Sequence, residues 1–343
     1  MAATLPFAWY SDEEQLRRER TRIFARAWQY GGRAAEVAEP GSFLATDAGG
    51  VPILVTRDAD GELRAFLNVC RHRGAVLTEG CGTRAAIQCH YHAWTYGLDG
   101  SLRAAPRSER EEGFDPAEWS LVPASVGVWG PFLFVNPDPD AAPLEEWLGD
   151  LPEILGRDVD LDGLVFHSRV EFAAHANWKI VVENFLECYH CPTAHPAFSD
   201  EVDVHPDRYL LEPHPTFAAQ FCRAKATGEL GQFHLLYPNT GLNVFPGPPN
   251  LSIGPIAPNG PNRTERYLDY FFAPDADPAW RDAFFAFDDR IGREDTALVE
   301  SVHRGAASGL LEHGRLLLGS EPLLAAFQDW VARQLGADGS AAF

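Results

Sequence analysis

The chain has 343 residues, 45% apolar and 12% aromatic. That is enough for two ordinary domains with a core in each, and it excludes a disordered chain. A formal net charge of −21 argues against nucleic acid and anionic membrane surfaces as partners, since both need a basic face. No run of about 18 apolar residues could cross a membrane, and Met1 to Tyr10 lacks the basic-then-apolar pattern of a signal peptide. Six cysteines are too few for a disulfide scaffold of this length. Two of them stand in metal-ligand spacing, which points to a reducing compartment. The expected location is therefore cytoplasmic.

Taken in order, Ser11-Asp12-Glu13-Glu14 has the form of a capping box, and Leu16, Ile23, Phe24 and Trp28 follow at helical spacing. This predicts an amphipathic helix within residues 1–34, packing on the first domain. Short strands follow from Gly41. Val51–Thr56 and Leu63–Val69 flank the hairpin turn Asp58-Ala59-Asp60-Gly61, and Val126–Trp129 and Phe132–Val135 add more strand. Residues 35–143 thus read as an all-β domain. The Pro/Asp-rich break Pro137–Pro143 closes it, and a second domain runs over 144–343. There the strands Leu164–Ala174, Phe217–Ala226, Gly241–Phe245, Leu251–Ile256 and Arg266–Phe272 are grouped apart from the helices. A long helix opens at Asp277-Pro278 and a last one at Ser320-Glu321-Pro322. The fold class is α+β, with an antiparallel sheet in the second domain.

Cys70-Arg71-His72 and Cys89-His90-Tyr91-His92 pair two thiols with two imidazoles. The set Cys70, His72, Cys89 and His92 suits either zinc or a Rieske [2Fe–2S] cluster. Cys81 fits neither spacing and reads as a buried free thiol. Further on lies Glu187-Cys188-Tyr189-His190-Cys191-Pro192-Thr193-Ala194-His195. On a regular helix, residues five apart diverge by about 140°. His190 and His195 converge only if the expected helix Trp178–Tyr189 ends or bulges between them, and Pro192 offers a reason. Two imidazoles and one carboxylate form the facial triad of non-haem Fe(II) oxygenases. On the residues alone, Asp288 and Asp295 are equal candidates for the carboxylate.

Leu67-Asn68-Val69-Cys70-Arg71-His72-Arg73-Gly74-Ala75 and Cys89-His90-Tyr91-His92-Ala93-Trp94-Thr95-Tyr96 resemble the Rieske domain of ring-hydroxylating oxygenases. The resemblance covers nearly the whole chain. It implies a Rieske [2Fe–2S] cluster followed by a helix-grip (START-like) catalytic domain, and it singles out Asp295 to join His190 and His195 on a mononuclear iron. Glu187 takes the place of the acid that links a cluster histidine of one subunit to an iron histidine of the next. Glu at that place, with the cysteines around it, is similar to the carnitine, glycine betaine and stachydrine monooxygenase branch.

The resemblance further implies a homotrimer, O2 as co-substrate, and electrons from NAD(P)H through a flavin/[2Fe–2S] reductase. Phe185, Phe221, Asn243, Phe245 and Phe287 are the candidate pocket residues, since aromatic rings can cage a trimethylammonium group and can equally be packing. The expected activity is hydroxylation or N-demethylation of a betaine-like compound. Alternatives are an aromatic hydroxylase or cis-dihydroxylase and, from another class, a Rieske electron carrier without catalytic iron or a zinc-stabilised binding protein.

Overall fold

The computed structural model describes residues 3–336, and the chain divides into two compact units. Phe24–Trp147 form one. Residues up to Ile23 and from Leu148 onward form the other.

The first unit holds β1 (Gln29–Arg33), β2 (Ser42–Asp47), β3 (Pro52–Arg57), β4 (Leu63–Leu67), β5 (Cys81–Thr83), β6 (Ile87–Gln88), β7 (Thr95–Tyr96), β8 (Leu102–Ala104), β9 (Pro123–Trp129) and β10 (Phe132–Asn136). Seven of them make a sheet in the order β1-β10-β9-β4-β3-β2-β5, and β6-β7-β8 make a second, smaller one. The expected hairpin joins β3 to β4. The Asp58 carboxylate accepts from the amides of Asp60 and Glu62, and Gly61 supplies φ +84°. Leu54 and Phe66 of the large sheet and Ile87 and Tyr96 of the small one bury against Cys70 and Cys89. The two candidate thiol ligands are thus part of the core.

The helices are α1 (Glu13–Arg22), α2 (Leu144–Leu148), α3 (Leu151–Gly156), α4 (Trp178–Phe185), α5 (Cys191–Ala194), α6 (Pro196–Glu201), α7 (Pro278–Ala306) and α8 (Pro322–Gln334). The second sheet contains β11 (Val165–Ala174), β12 (Leu210–Pro213), β13 (Phe217–Arg223), β14 (Leu230–Leu236), β15 (Thr240–Val244), β16 (Asn250–Pro258) and β17 (Thr264–Phe272). Its order is β11-β17-β16-β15-β14-β13-β12, antiparallel throughout. Phe284 of α7 packs on Leu268, Tyr270 and Phe272 of β17. The sheet therefore grips the long helix, as expected. Asp277 caps α7 by accepting from the amide of Ala279, with Pro278 in the first turn.

Several expectations need correction. The N-terminal helix belongs to the second unit, not the first. Its Glu19 accepts from Lys179 Nζ at 2.7 Å and Trp178 Nε1 at 2.8 Å, and both Glu19 and Lys179 are fully buried. A buried charge needs a partner of opposite sign, and that pair ties α1 to α4. The cap of α1 is Asp12 rather than Ser11. Helix α4 stops at Phe185, four residues early. Strands β12 and β14 were missed. The run Leu230-Gly231-Gln232-Phe233-His234-Leu235-Leu236 is buried from its second residue onward, so it lacks the alternation that marks a half-exposed strand.

Candidate active site

The first candidate centre is built from two loops with the same backbone plan. Gly74 N–H donates to the Cys70 carbonyl and Cys70 N–H to that of Ala75. In the second loop Ala93 N–H donates to Cys89 and Cys89 N–H to Trp94. The residue four after each cysteine, Gly74 or Ala93, has a positive φ (74° and 56°). Both thiols are buried and free of disulfides, whereas His72 and His92 are exposed. The two imidazole rings lie 4.6 Å apart edge to face, and His72 stacks on Trp94 at 5.0 Å. Tyr96 Oη is 3.5 Å from Cys70 Sγ and accepts from the amide of Arg71 at 3.0 Å. Cys81 is exposed rather than buried, at the edge strand β5.

The second centre forms where the helix breaks. After α4 ends, α5 is a single turn with Pro192 near its start. His190 precedes that turn and His195 follows it. The break brings together side chains that a regular helix would separate. His190 Nε2 and His195 Nε2 lie 3.1 Å apart, and Asp295 Oδ1 from α7 is 3.0 Å from the latter and 3.6 Å from the former. Each imidazole is held from behind. Glu187 meets His190 Nδ1, and Glu294 Oε2 meets His195 Nδ1 at 2.8 Å. Burial lowers the His195 pKa, but its bonds to Asp295 and Glu294 outweigh that and raise it. Asn184 Nδ2 donates to Asp295 Oδ1 at 2.7 Å. Asp288, the other candidate acid, is engaged by Tyr270 Oη at 2.5 Å.

Beside this triad lies a cavity between the second sheet and α7, lined in part by Phe172, Phe185, Phe233, Phe245, Asn243 and Arg266, with His190, His195 and Asp295 in its wall. Phe185, Asn243 and Phe245 were expected there. Phe221 and Phe287 were too, and the structure corrects both. Gln220 faces the cavity, so its strand neighbour Phe221 points to the other face, where it packs on His234. Phe287 stands behind the lining against Phe198 and Phe245. Cys188 and Cys191, which flank His190, are joined in a disulfide.

Residues 27–123 match the Rieske [2Fe-2S] domain model, and residues 161–337 match that of the ring hydroxylating alpha subunit catalytic domain. The chain belongs to the Rieske oxygenases. Among its relatives, the carnitine monooxygenase oxygenase subunit of Acinetobacter pittii is 33% identical, over 97% of this chain and 95% of that one. Choline monooxygenase of Amaranthus tricolor is 32% identical, over 97% and 78%. A solved structure of the quaternary ammonium Rieske monooxygenase CntA superposes with a TM-score of 0.86 at 33% identity, covering 97% of this chain and 95% of that one. Naphthalene 1,2-dioxygenase shares the fold, with a TM-score of 0.77 at 20% identity over 98% and 93%.

A Rieske oxygenase carries a [2Fe–2S] cluster and a non-haem iron, and the residues present suit both. Two buried free thiols and two exposed imidazoles are the donor set of a cluster with sulfur at one iron and nitrogen at the other. At the second centre, a carboxylate on each Nδ1 fixes the tautomer with its proton there. The two Nε2 atoms and an Asp295 carboxylate oxygen then converge on one point, a donor set that suits a bound cation. The reading from sequence had Glu187 but missed Glu294 and Asn184. Glu294 was legible only as a neighbour on an acidic face, and nothing in sequence says which way that face turns.

Proposed function

We propose that this oxygenase hydroxylates an N-methyl carbon of a small quaternary ammonium compound in the cytoplasm, as a homotrimer fed by a flavin/[2Fe–2S] reductase. In this reading Cys70, His72, Cys89 and His92 hold the cluster, and His190, His195 and Asp295 hold the iron. The bound metals supply electron delivery and O2 activation. The observation that carries the substrate class is the cavity. Phenylalanine rings line it next to the triad, and aromatic faces attract a desolvated tetraalkylammonium. Carnitine and choline oxygenases among the relatives support the same reading. A hydroxylated N-methyl group forms a carbinolamine that sheds formaldehyde, which is demethylation.

The chain's own residues do the positioning. Glu187 and Glu294 fix the two imidazole tautomers, and Asn184 holds the Asp295 carboxylate. Glu187 accepts from His190 Nδ1 and from the amides of Tyr189 and His190. The side chain of Glu187 is 11% exposed. The proposal gives its remaining accepting capacity to a cluster histidine of a neighbouring subunit, which requires a ring assembly.

The reconstituted enzyme should contain about three irons per chain, two of them in the cluster. With reductase, NADH and O2 it should release formaldehyde or a hydroxylated product from carnitine, choline or glycine betaine. About two irons per chain would mean an electron carrier, and turnover of aromatic compounds alone would replace the substrate class.

A further inference from the structure

Arg266 lies on β17 with Thr264 and Leu268, and the three line the cavity from one face of the strand. Its guanidinium carbon sits 5.3 Å from the centroid of the Phe172 ring, the residue paired with it across β11. Its Nε is buried and finds no hydrogen-bond acceptor. The acid that acts on it electrostatically, Asp288, is engaged by Tyr270. Among the described residues, no carboxylate forms an ion pair with Arg266. A buried guanidinium donor left without an acceptor in this cavity has a desolvation cost that a native structure does not carry without a reason.

Asn243 is the complementary orphan. It is 94% buried, counting its 6% exposure, and lines the same cavity. Its Nδ2 donates to Ser252 Oγ at 3.1 Å, but its Oδ1 has no donor. Sheet register separates the two. Asn243 pairs with Ser252 of β16, and Ser252 with Tyr270 of β17, four residues from Arg266. The cavity thus offers a free cationic donor at one place and a free acceptor at another.

We propose that Arg266 reads the carboxylate of the substrate, so that this oxygenase acts on zwitterionic betaines in preference to cationic amino alcohols. The inference rests on the quaternary ammonium reading above. A guanidinium matches a carboxylate with two parallel N–H···O bonds, whereas a ligand of net positive charge meets only repulsion from it. The placement suits such a substrate. Phe172 packs at Gly292, three residues before Asp295 on α7, which is about 4.5 Å along the helix axis. A carboxylate held there leaves the ammonium methyls within reach of the triad. Asn243 Oδ1 adds a partial negative charge suited to the ammonium or to a hydroxyl.

The test uses the holoenzyme with its reductase. In the wild type, carnitine should exceed its methyl ester, and glycine betaine should exceed choline, in kcat/KM by roughly 10- to 100-fold, the range expected for a charged hydrogen-bond pair. Arg266→Gln should remove most of that preference through KM for the carboxylates and leave the ester and choline within about threefold. Arg266→Lys should retain part of it. Equal losses for acids and esters would mean that Arg266 serves only packing on Phe172, and a wild type that favours choline or the ester would overturn the proposal without a variant. Turnover of none of these ammonium compounds, with aromatic substrates accepted, would instead sink the substrate class itself.

Discussion

The two candidate metal centres hold their proposed ligands by different means. Around Cys70 and Cys89 the backbone does the work. Two loops with the same amide–carbonyl bonds each present one thiol inward and one imidazole outward. Around His190, His195 and Asp295 the side chains do it. The three candidate ligand atoms come from the ends of a one-turn helix and from the middle of α7, and each of these side chains is oriented by a further polar side chain: Glu187, Glu294 or Asn184. A backbone-built site tolerates change outside its loops. A side-chain-built site depends on partners a hundred positions away in sequence, and it sits next to the cavity that must admit substrate.

The largest contrast should come from removing one ligand at each centre. Asp295→Ala should lower product formation by at least about 1000-fold, beyond the 10- to 100-fold expected of an outer partner, while the reduced enzyme keeps its Rieske electron paramagnetic resonance signal. Cys89→Ser should abolish that signal and, because Cys89 is core, also weaken the fold of the first unit. Turnover surviving Asp295→Ala would break the assignment of the second centre.

A middle-sized effect belongs to Glu294. Glu294→Gln should weaken ferrous iron binding roughly 10- to 100-fold, read by iron titration, and leave the cluster spectrum unchanged. Unaltered affinity would mean that His195 is oriented by packing alone, and the contrast between the centres would narrow.

The smallest effect concerns Glu183 on α4, held by Tyr10 and Gln328. Burial pushes its carboxyl up to about 7 from an ordinary 4.5, against the lowering bonds of Tyr10, Gln328 and the charge of Lys179. The folded state therefore favours the protonated form. The stabilisation is full below about pH 4.5 and is lost as pH rises through about 7. Glu183→Gln should leave Tm near that of the wild type at pH 5 and raise it by a few degrees at pH 8.5. Equal Tm differences at both pH values would show that the carboxyl keeps its ordinary pKa.

Much of this was readable in advance because its causes are local. Cysteine and histidine spacing, the Asp58–Gly61 turn and the Asp277-Pro278 helix start are each decided within a few residues, as is the need for a helix break at Pro192. Resemblance then ranked Asp295 above Asp288, which local pattern could not do. The structure adds the reason: Tyr270 engages Asp288, whereas Asn184 turns Asp295 toward the histidines.

Composition and short-range pattern were enough to read two domains, two candidate metal-ligand sets and a mixed α+β second half. They did not determine which unit the N-terminal helix joins, since Glu19 and Lys179 are 160 positions apart. Nor did they show that Phe221 turns away from the cavity and Arg266 toward it, or that Glu294 backs His195. Strand register and helix rotation decide those points. Both are set by packing between distant segments, so the outcome exists only once the sheet has closed on α7.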